Sequence, residues 1–434
     1  TCGHVIILLS IIIAYNLSFG EYFMYRVTPV IPQISAAMLA GMVLGTAWVN
    51  LSPESYYDMV EFRLIDPQLA FIRALPFDIK LITFGRFLAH SATALLFFVI
   101  GKELWESALF QRGFLRRRDM GLWAIMCLGG FLGALVTWWL TQTKGQIEQI
   151  TTYGWSVPFG GDVLLAYMMG KMIFGGKHRA IEPILAIAGV SSILGLLFMV
   201  ALDPIGDISF FYLFMTGLCS FLTWRFFGRF APLALSERDK ENAKHLTPYL
   251  IGACFCFLFF WGSGLPLTLG LLPIIPAIAH GSHAFGLFSM PERFLHDPLN
   301  RMTHLMTPPL VITMALFGLT QGGIDFQAFN QVTLSLWLSM MVGKPLGMFI
   351  MALLAISFGL VVRPLDLSKR DLALIAVSSA LAFVTPSLVA DVTLLGGIAR
   401  EGARLGFGLA LLSGLAFAQM IYIMRGVGNL PQAK

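Results

Sequence analysis

Apolar runs of about 17–25 residues, the length that crosses a hydrocarbon layer as a helix, recur from one end of the chain to the other. They fall at 4–25, 33–50, 84–106, 118–141, 154–175, 181–203, 207–228, 246–262, 264–285, 304–322, 331–360, 370–395 and 403–425. The pattern predicts an all-α polytopic membrane protein. Its twelve core spans occupy residues 33–434, and residues 1–32 form an additional N-terminal transmembrane segment and linker. Glu21, Arg26, Pro29 and Pro32 read as a helix end and linker rather than a cleavage site. No soluble domain fits between the runs, whose longest connections are 51–83, 229–245 and 286–303.

The 51–83 connection is not purely polar. Val60–Ile65 and Phe77–Ile82 alternate roughly between apolar and charged positions, which suits a short β-hairpin. An exposed hairpin edge offers unpaired backbone groups to a second copy, hence a homodimer. The plainer reading is an ordered loop.

Composition changes the picture only by naming the solvent. Of 434 residues, 57% are hydrophobic and 12% charged, against about 25% charged in a soluble domain. That is too little charge to coat a soluble fold, so lipid covers most of the surface. The net charge of +5 does not point to nucleic acid, because the basic residues sit in short loops. Alternate loops hold 18 Lys and Arg, and the loops between them hold 7. That asymmetry marks the first set, and the C-terminus, as cytoplasmic. Four of the five cysteines lie in apolar runs and read as packing residues, with no metal site or disulfide framework.

Charges within the spans are expensive and mark function. Asp162 follows Gly154-Trp-Ser-Val-Pro158-Phe-Gly160-Gly161, where proline and two glycines weaken helical hydrogen bonding. A helix broken at bilayer depth must be buried in protein or line a polar cavity, and in secondary transporters such breaks form ion sites. The bland alternative is a packing kink that Asp162 caps. Lys344 lies in Gly343-Lys344-Pro345-Leu346-Gly347. It is either a structural ammonium or a proton carrier, since loss of water favours the neutral amine. The two groups are expected to satisfy each other by direct contact. His280 and His283 have a spacing that metals use, but no further ligand completes a site. They read as solvated loop histidines, or as a cytoplasmic pH sensor.

Over residues 33–425 the chain resembles the NhaA-type sodium/proton antiporters. The matching stretches are Ala94–Glu103, Gly154–Pro158 with Asp162, Ser263-Gly264 with Thr268, Ala315–Phe317 with Gly322-Gly323, and Gly343–Gly347. The resemblance implies two inverted repeats whose interrupted helices cross at the ion site. It also implies that the external hairpin mediates a homodimer. By position, Asp162 matches the family's carboxylate at the interrupted helix, Lys344 its buried lysine, and Glu103 the acidic residue of the cytoplasmic funnel.

The departures carry as much information. Where the family has the paired aspartates that exchange cation for proton, this chain has Ser191 and Ser192. A serine hydroxyl ligates a cation but does not titrate near neutrality. His90 stands at another of the family's aspartate positions. The second interrupted helix loses its glycines across Ser378–Pro386, a stretch that includes Thr385, and Asp391 is not where the family has an acid. Two functions follow. One is a secondary transporter in the bacterial inner membrane, carrying Na+ or H+ with altered or reduced coupling. The other is a transport-inactive homologue serving as a structural or regulatory subunit of a larger membrane complex. An enzyme is not expected, since no His-Glu-x-x-His, Gly-x-Ser-x-Gly or paired inward acid is present, and no cofactor is implied.

Overall fold

The computed structural model describes residues 30–64, 83–109, 120–142, 154–175, 178–202, 208–228, 245–280, 287–288, 297–364, 367–394 and 397–428. The N-terminal segment at 4–25, His283 and the middle of the 51–83 connection lie outside them. In chain order the helices are α1 (Val30–Leu51), α2 (Pro53–Val60), α3 (Phe84–Leu109) and α4 (Met120–Gln142). A 3-10 helix (Gly154–Phe159) then precedes α5 (Val163–Phe174), α6 (Ile181–Leu202), α7 (Phe210–Thr223) and α8 (Thr247–Gly262). Two short 3-10 pieces, Leu267–Leu269 and Leu272–Ala277, lead to α9 (Pro298–Gln321). The chain ends with α10 (Gln331–Leu338), α11 (Lys344–Ser357), α12 (Lys369–Ala380), α13 (Val384–Thr393) and α14 (Gly397–Gly428).

Among the described residues, eight helical stretches are long and apolar enough to span a bilayer, or nine when the bent pair α12–α13 counts as one. Their outer faces are apolar: Phe210, Phe211, Phe214, Phe221 and Phe226 on and beyond α7 are all exposed. A soluble protein would not leave such a surface uncovered. The run at 264–285 is not the α-helical span that its hydrophobicity suggests. Pro266, Pro273 and Pro276 lack the N–H groups an α-helix needs there, and Gly264 adopts φ +79°. The chain takes 3-10 turns instead. The start of the 51–83 connection is the helix α2, and Arg63 and Thr83 form an antiparallel bridge at its ends.

The helices gather into two bundles. One contains α1, α2, α3, α7, α8, the 3-10 pieces and α9; the other contains α4, α5, α6 and α10 to α14. The tightest pair in each bundle is a glycine seam. In the first, a Cβ on Gly41 would lie 2.0 Å from the Ala315 carbonyl oxygen, and one on Gly318 2.1 Å from that of Met38. In the second, a Cβ on Gly133 would lie 2.1 Å from the Gly343 oxygen, and one on Gly347 2.1 Å from that of Gly129. Lipid supplies no hydrophobic drive between helices, so close backbone approach through residues four apart does the work. This explains half of the Gly343–Gly347 motif.

Replacing Gly347 with Val should therefore cost about 3 kcal/mol or more through overpacking, read as a lower melting temperature of the purified protein in detergent. Gly217→Ala, where a Cβ meets nothing within 4 Å, should stay within about 0.5 kcal/mol of the native chain.

Candidate functional site

The two broken helices meet head to head. On one side the 3-10 helix Gly154–Phe159, with Pro158 inside it, ends, and the non-helical Gly160 and Gly161 lead to Asp162, the extended N-cap of α5. On the other, α12 stops at Ala380 and α13 restarts at Val384, bent by 48°. The break comes three residues before Pro386, which sits in the first turn of α13, so the glycine-poor segment is interrupted all the same. The glycines that remain are forced by contact. A Cβ on Gly160 would lie 2.6 Å from Thr385 Cγ2, and one on Gly161 2.2 Å from the Ala188 oxygen.

Asp162 joins the halves. Its Oδ1 accepts from Leu164 N at 2.9 Å and Leu165 N at 3.3 Å, the cap of its own helix. Its Oδ2 accepts from Phe383 N at 3.3 Å and Val384 N at 3.1 Å, the start of α13. A helix N-terminus carries roughly half a positive charge, so the two together offset about one carboxylate. The side chain is 2% exposed and accepts four N–H groups, close to the capacity of a carboxylate.

Lys344 is also fully buried, but among the described residues it does not pair with Asp162. Its Nζ donates to the Gly160 carbonyl at 2.6 Å, across the break from the carboxylate. The expected direct contact is thus replaced by separate backbone contacts, four amides to Asp162 and the Gly160 carbonyl to Lys344. The reason is competition: four preorganised amides already fill the carboxylate, and the carbonyl at the end of the 3-10 helix lacks a helical donor. A π-helical turn, Ser339–Gly343, delivers the lysine. Pro345 has no N–H to continue an α-helix and its ring crowds the preceding turn, so the turn widens there. Such turns recur at functional sites.

The serines lie beside this centre and are neutral. Ser191 Oγ donates to Cys127 Sγ at 3.6 Å, and Ser192 Oγ donates to the Ala188 oxygen at 2.8 Å within its own helix. Thr385 Oγ1 is buried without a hydrogen-bond partner. Gly160, Gly161, Asp162, Ser191, Ser192, Lys344 and Thr385 are thus brought into one buried neighbourhood.

Glu103 stands apart from it. A cavity of about 40 Å³ runs between the bundles from Glu103 and Lys102 past Thr303 and Thr307 to Val163 and Leu164, the first turn of α5. That is room for roughly three waters. Glu103 Oε2 accepts from Phe288 N, whose residue has φ +56°. Lys102 bridges Glu103 Oε1 at 3.1 Å and Glu106 Oε2 at 2.9 Å. Sequence reasoning missed Lys102 and Glu106, although their i,i+4 spacing inside an apolar run was the available signal. His280 is half-buried. Asp391 pairs with Arg400 at 3.3 Å, away from the centre.

Comparison with known proteins places the arrangement. The family model described as Na+/H+ antiporter 1 matches residues 32–423. The chain belongs to this antiporter family. Among its relatives, the Na(+)/H(+) antiporter NhaA of Jannaschia sp. (strain CCS1) is 28% identical over 412 residues, 90% of this chain and 97% of the relative. The NhaA of Desulfitobacterium hafniense (strain DSM 10664 / DCB-2) is 25% identical over 390 residues, covering 88% and 92%. NhaA 2 of Pelobacter propionicus is 24% identical over 400 residues, covering 91% and 97%. The family is one of multi-pass membrane transporters, and the broken-helix crossing of this antiporter relative sits where the sequence resemblance put it.

Asp162→Asn keeps the size of the side chain but turns an NH2 towards two of the four amide donors. Losing two hydrogen bonds to a buried charge should cost about 3–5 kcal/mol. The expected result is a melting temperature lowered by many degrees in detergent, well beyond that of Ser192→Ala, which removes one helix back-bond.

Proposed function

We propose that the chain is a secondary transporter of the cation/proton antiporter type with altered or reduced ion coupling. The observation that carries this reading is the saturation of Asp162 beside an ammonium with one hydrogen-bond acceptor. In a carboxylate pair, cation and proton compete for the same oxygens. Here Asp162, the only carboxylate at the crossing among the described residues, has its lone pairs occupied by backbone amides, and Ser191 and Ser192 cannot titrate. The group left to bind and release a proton is Lys344, with Thr385 and Ser191 as neutral oxygens for a cation. The cavity that ends at Leu164 supports access from the side of the basic loops. We place those loops, the C-terminus and Glu103 in the cytoplasm of a bacterium, with the protein in its inner membrane. A pH-sensing role for His280 and His283, and a homodimer through the 51–83 connection, belong to the same reading.

The saturated carboxylate also favours a second reading, a transport-inactive homologue kept as a structural or regulatory subunit of a membrane complex. The two are separated in proteoliposomes under sodium and pH gradients. Under the first reading the native chain moves protons slowly in response to sodium. Lys344→Met abolishes the movement, and Ser191→Asp with Ser192→Asp raises it at least severalfold. Sodium-driven proton flux that survives Lys344→Met unchanged would overturn the assignment to lysine. No flux above empty vesicles, in the native chain or with both aspartates restored, would leave the second reading.

A further inference from the structure

Among the described residues, α7 is the most lipid-exposed of the candidate spans, and its main partner is α8. The two helices meet along a close seam. A Cβ on Gly252 would lie 2.6 Å from Thr223 Oγ1, and one on Gly262 2.9 Å from the Tyr212 ring. Tyr212 and Thr223 of α7 thus face Gly262 and Gly252 of α8, an antiparallel register that sets Cys219 opposite Cys256. The two thiols reach across in opposite directions. Cys219 Sγ donates to the Gly252 carbonyl at 3.6 Å, and Cys256 Sγ donates to the Thr216 carbonyl at 3.6 Å. Each carbonyl belongs to the turn that precedes the other cysteine, so the sulfurs share one layer of the seam and lie in contact. Both are free thiols, Cys256 at 0% exposure and Cys219 half-buried. Cys254 lies two residues from Cys256, hence on another side of the helix, and is exposed.

We propose that Cys219 and Cys256 are a redox-active pair that closes to an interhelical disulfide, a covalent staple of α7 onto α8. A disulfide needs Cα atoms about 4.4–6.8 Å apart, a spacing that helices reach only in near backbone contact, as this seam provides. The partly open side of Cys219 meets lipid, so the oxidant must be uncharged and lipid-soluble; an organic hydroperoxide is such a class. The Cys219 sulfur attacks the terminal oxygen of the hydroperoxide. An S–O bond forms, the O–O bond breaks, and the thiol proton leaves with the alkoxide as an alcohol. The Cys256 sulfur then attacks the sulfenic sulfur. The S–S bond forms, the S–O bond breaks, and the Cys256 proton leaves with hydroxide as water. Two electrons from the two sulfurs thereby reduce the two hydroperoxide oxygens. The first step is slow for a protonated thiol in apolar surroundings. The second is fast because the sulfurs already touch, so the sulfenic acid is consumed before it oxidises further. The staple closes a loop over residues 219–256 and removes its freedom from the unfolded chain. It lies within the first bundle, away from Asp162, and does not depend on whether or what the chain transports.

The native full-length chain in liposomes, treated with cumene hydroperoxide and digested without reductant, tests this by mass spectrometry. One peptide pair should be linked through Cys219 and Cys256, two hydrogens lighter than the free thiols and split by a phosphine. The melting temperature in detergent should rise by about 5 °C and fall back on reduction. Cys254→Ala should keep both the link and the shift, whereas Cys219→Ala and Cys256→Ala should each lose both. Absence of the link after treatment, whatever happens to Cys254, would overturn the pair. A link that joins Cys254 instead would do the same. A link with no rise in melting temperature, or a rise that persists in Cys219→Ala, would overturn the staple.

Discussion

A buried carboxylate, Asp162, with no cation paired to it among the described residues, is held by four backbone amides from two helices that begin at the same point. Stripping water from a carboxylate costs several kcal/mol even after relaxation, and a pair of helix N-termini is one of the few arrangements that repays this without a second ion. The rest of the centre follows. Both helices must break, because only a restarting helix offers unpaired N–H groups. The broken backbone must be buried in protein, because no lipid-facing loop is tolerated at that depth. Gly160 and Gly161 must lack side chains, because the opposing break and α6 press directly on them.

Lys344 is then placed by the complementary deficit. A helix that ends at the centre leaves carbonyls without donors, and Gly160 O is the one that receives the ammonium. Positive and negative ends of broken helices are thus answered by one acid and one base that never touch. The seam of Gly129, Gly133, Gly343 and Gly347 brings α11 close enough for the lysine to reach, so the packing that holds this bundle together also sets its electrostatics. The five-residue motif encodes both jobs: glycines for approach, lysine for charge, proline for the wide turn between them.

Much of this was legible in the chain. Hydrophobic run lengths predict the long helices, and Pro158, Gly160 and Gly161 predict the first break, because a proline and two glycines act locally. The second break was partly legible: Pro386 lies close to it, but the interruption sits at 381–383, where no residue type demands it. What fixes it is Asp162, more than two hundred residues away in sequence. The same distance explains the misread ion pair. Side chains can be matched by charge from a sequence, whereas the competitors here are backbone amides, which every residue but proline carries. The 264–285 run misled for a local reason, three prolines in an otherwise apolar stretch. Lys102 was hidden because a lysine beside a glutamate at a span's end looks like an ordinary boundary.

The placement of Phe383 gives the centre a mechanical consequence. An amide that binds a buried carboxylate cannot shift by an ångström without weakening that bond, and its own side chain is wedged between Phe317 and Phe407. Motion of either bundle that disturbs the aromatic layer therefore reaches Asp162 through one peptide unit. In a carboxylate-pair mechanism, ion competition at the pair itself supplies coupling between binding and movement. On the function proposed above, Ser191 and Ser192 in that place remove the competition, and the route from an ion-site event to the bundle interface runs through the geometry of the α12–α13 break. Coupling by a strained hydrogen bond is weaker than coupling by an exchanged charge, since a neutral rearrangement shifts an equilibrium by a few kcal/mol at most. On the proposed reading, the chain keeps the architecture of an exchanger while its centre holds charge more than it exchanges it.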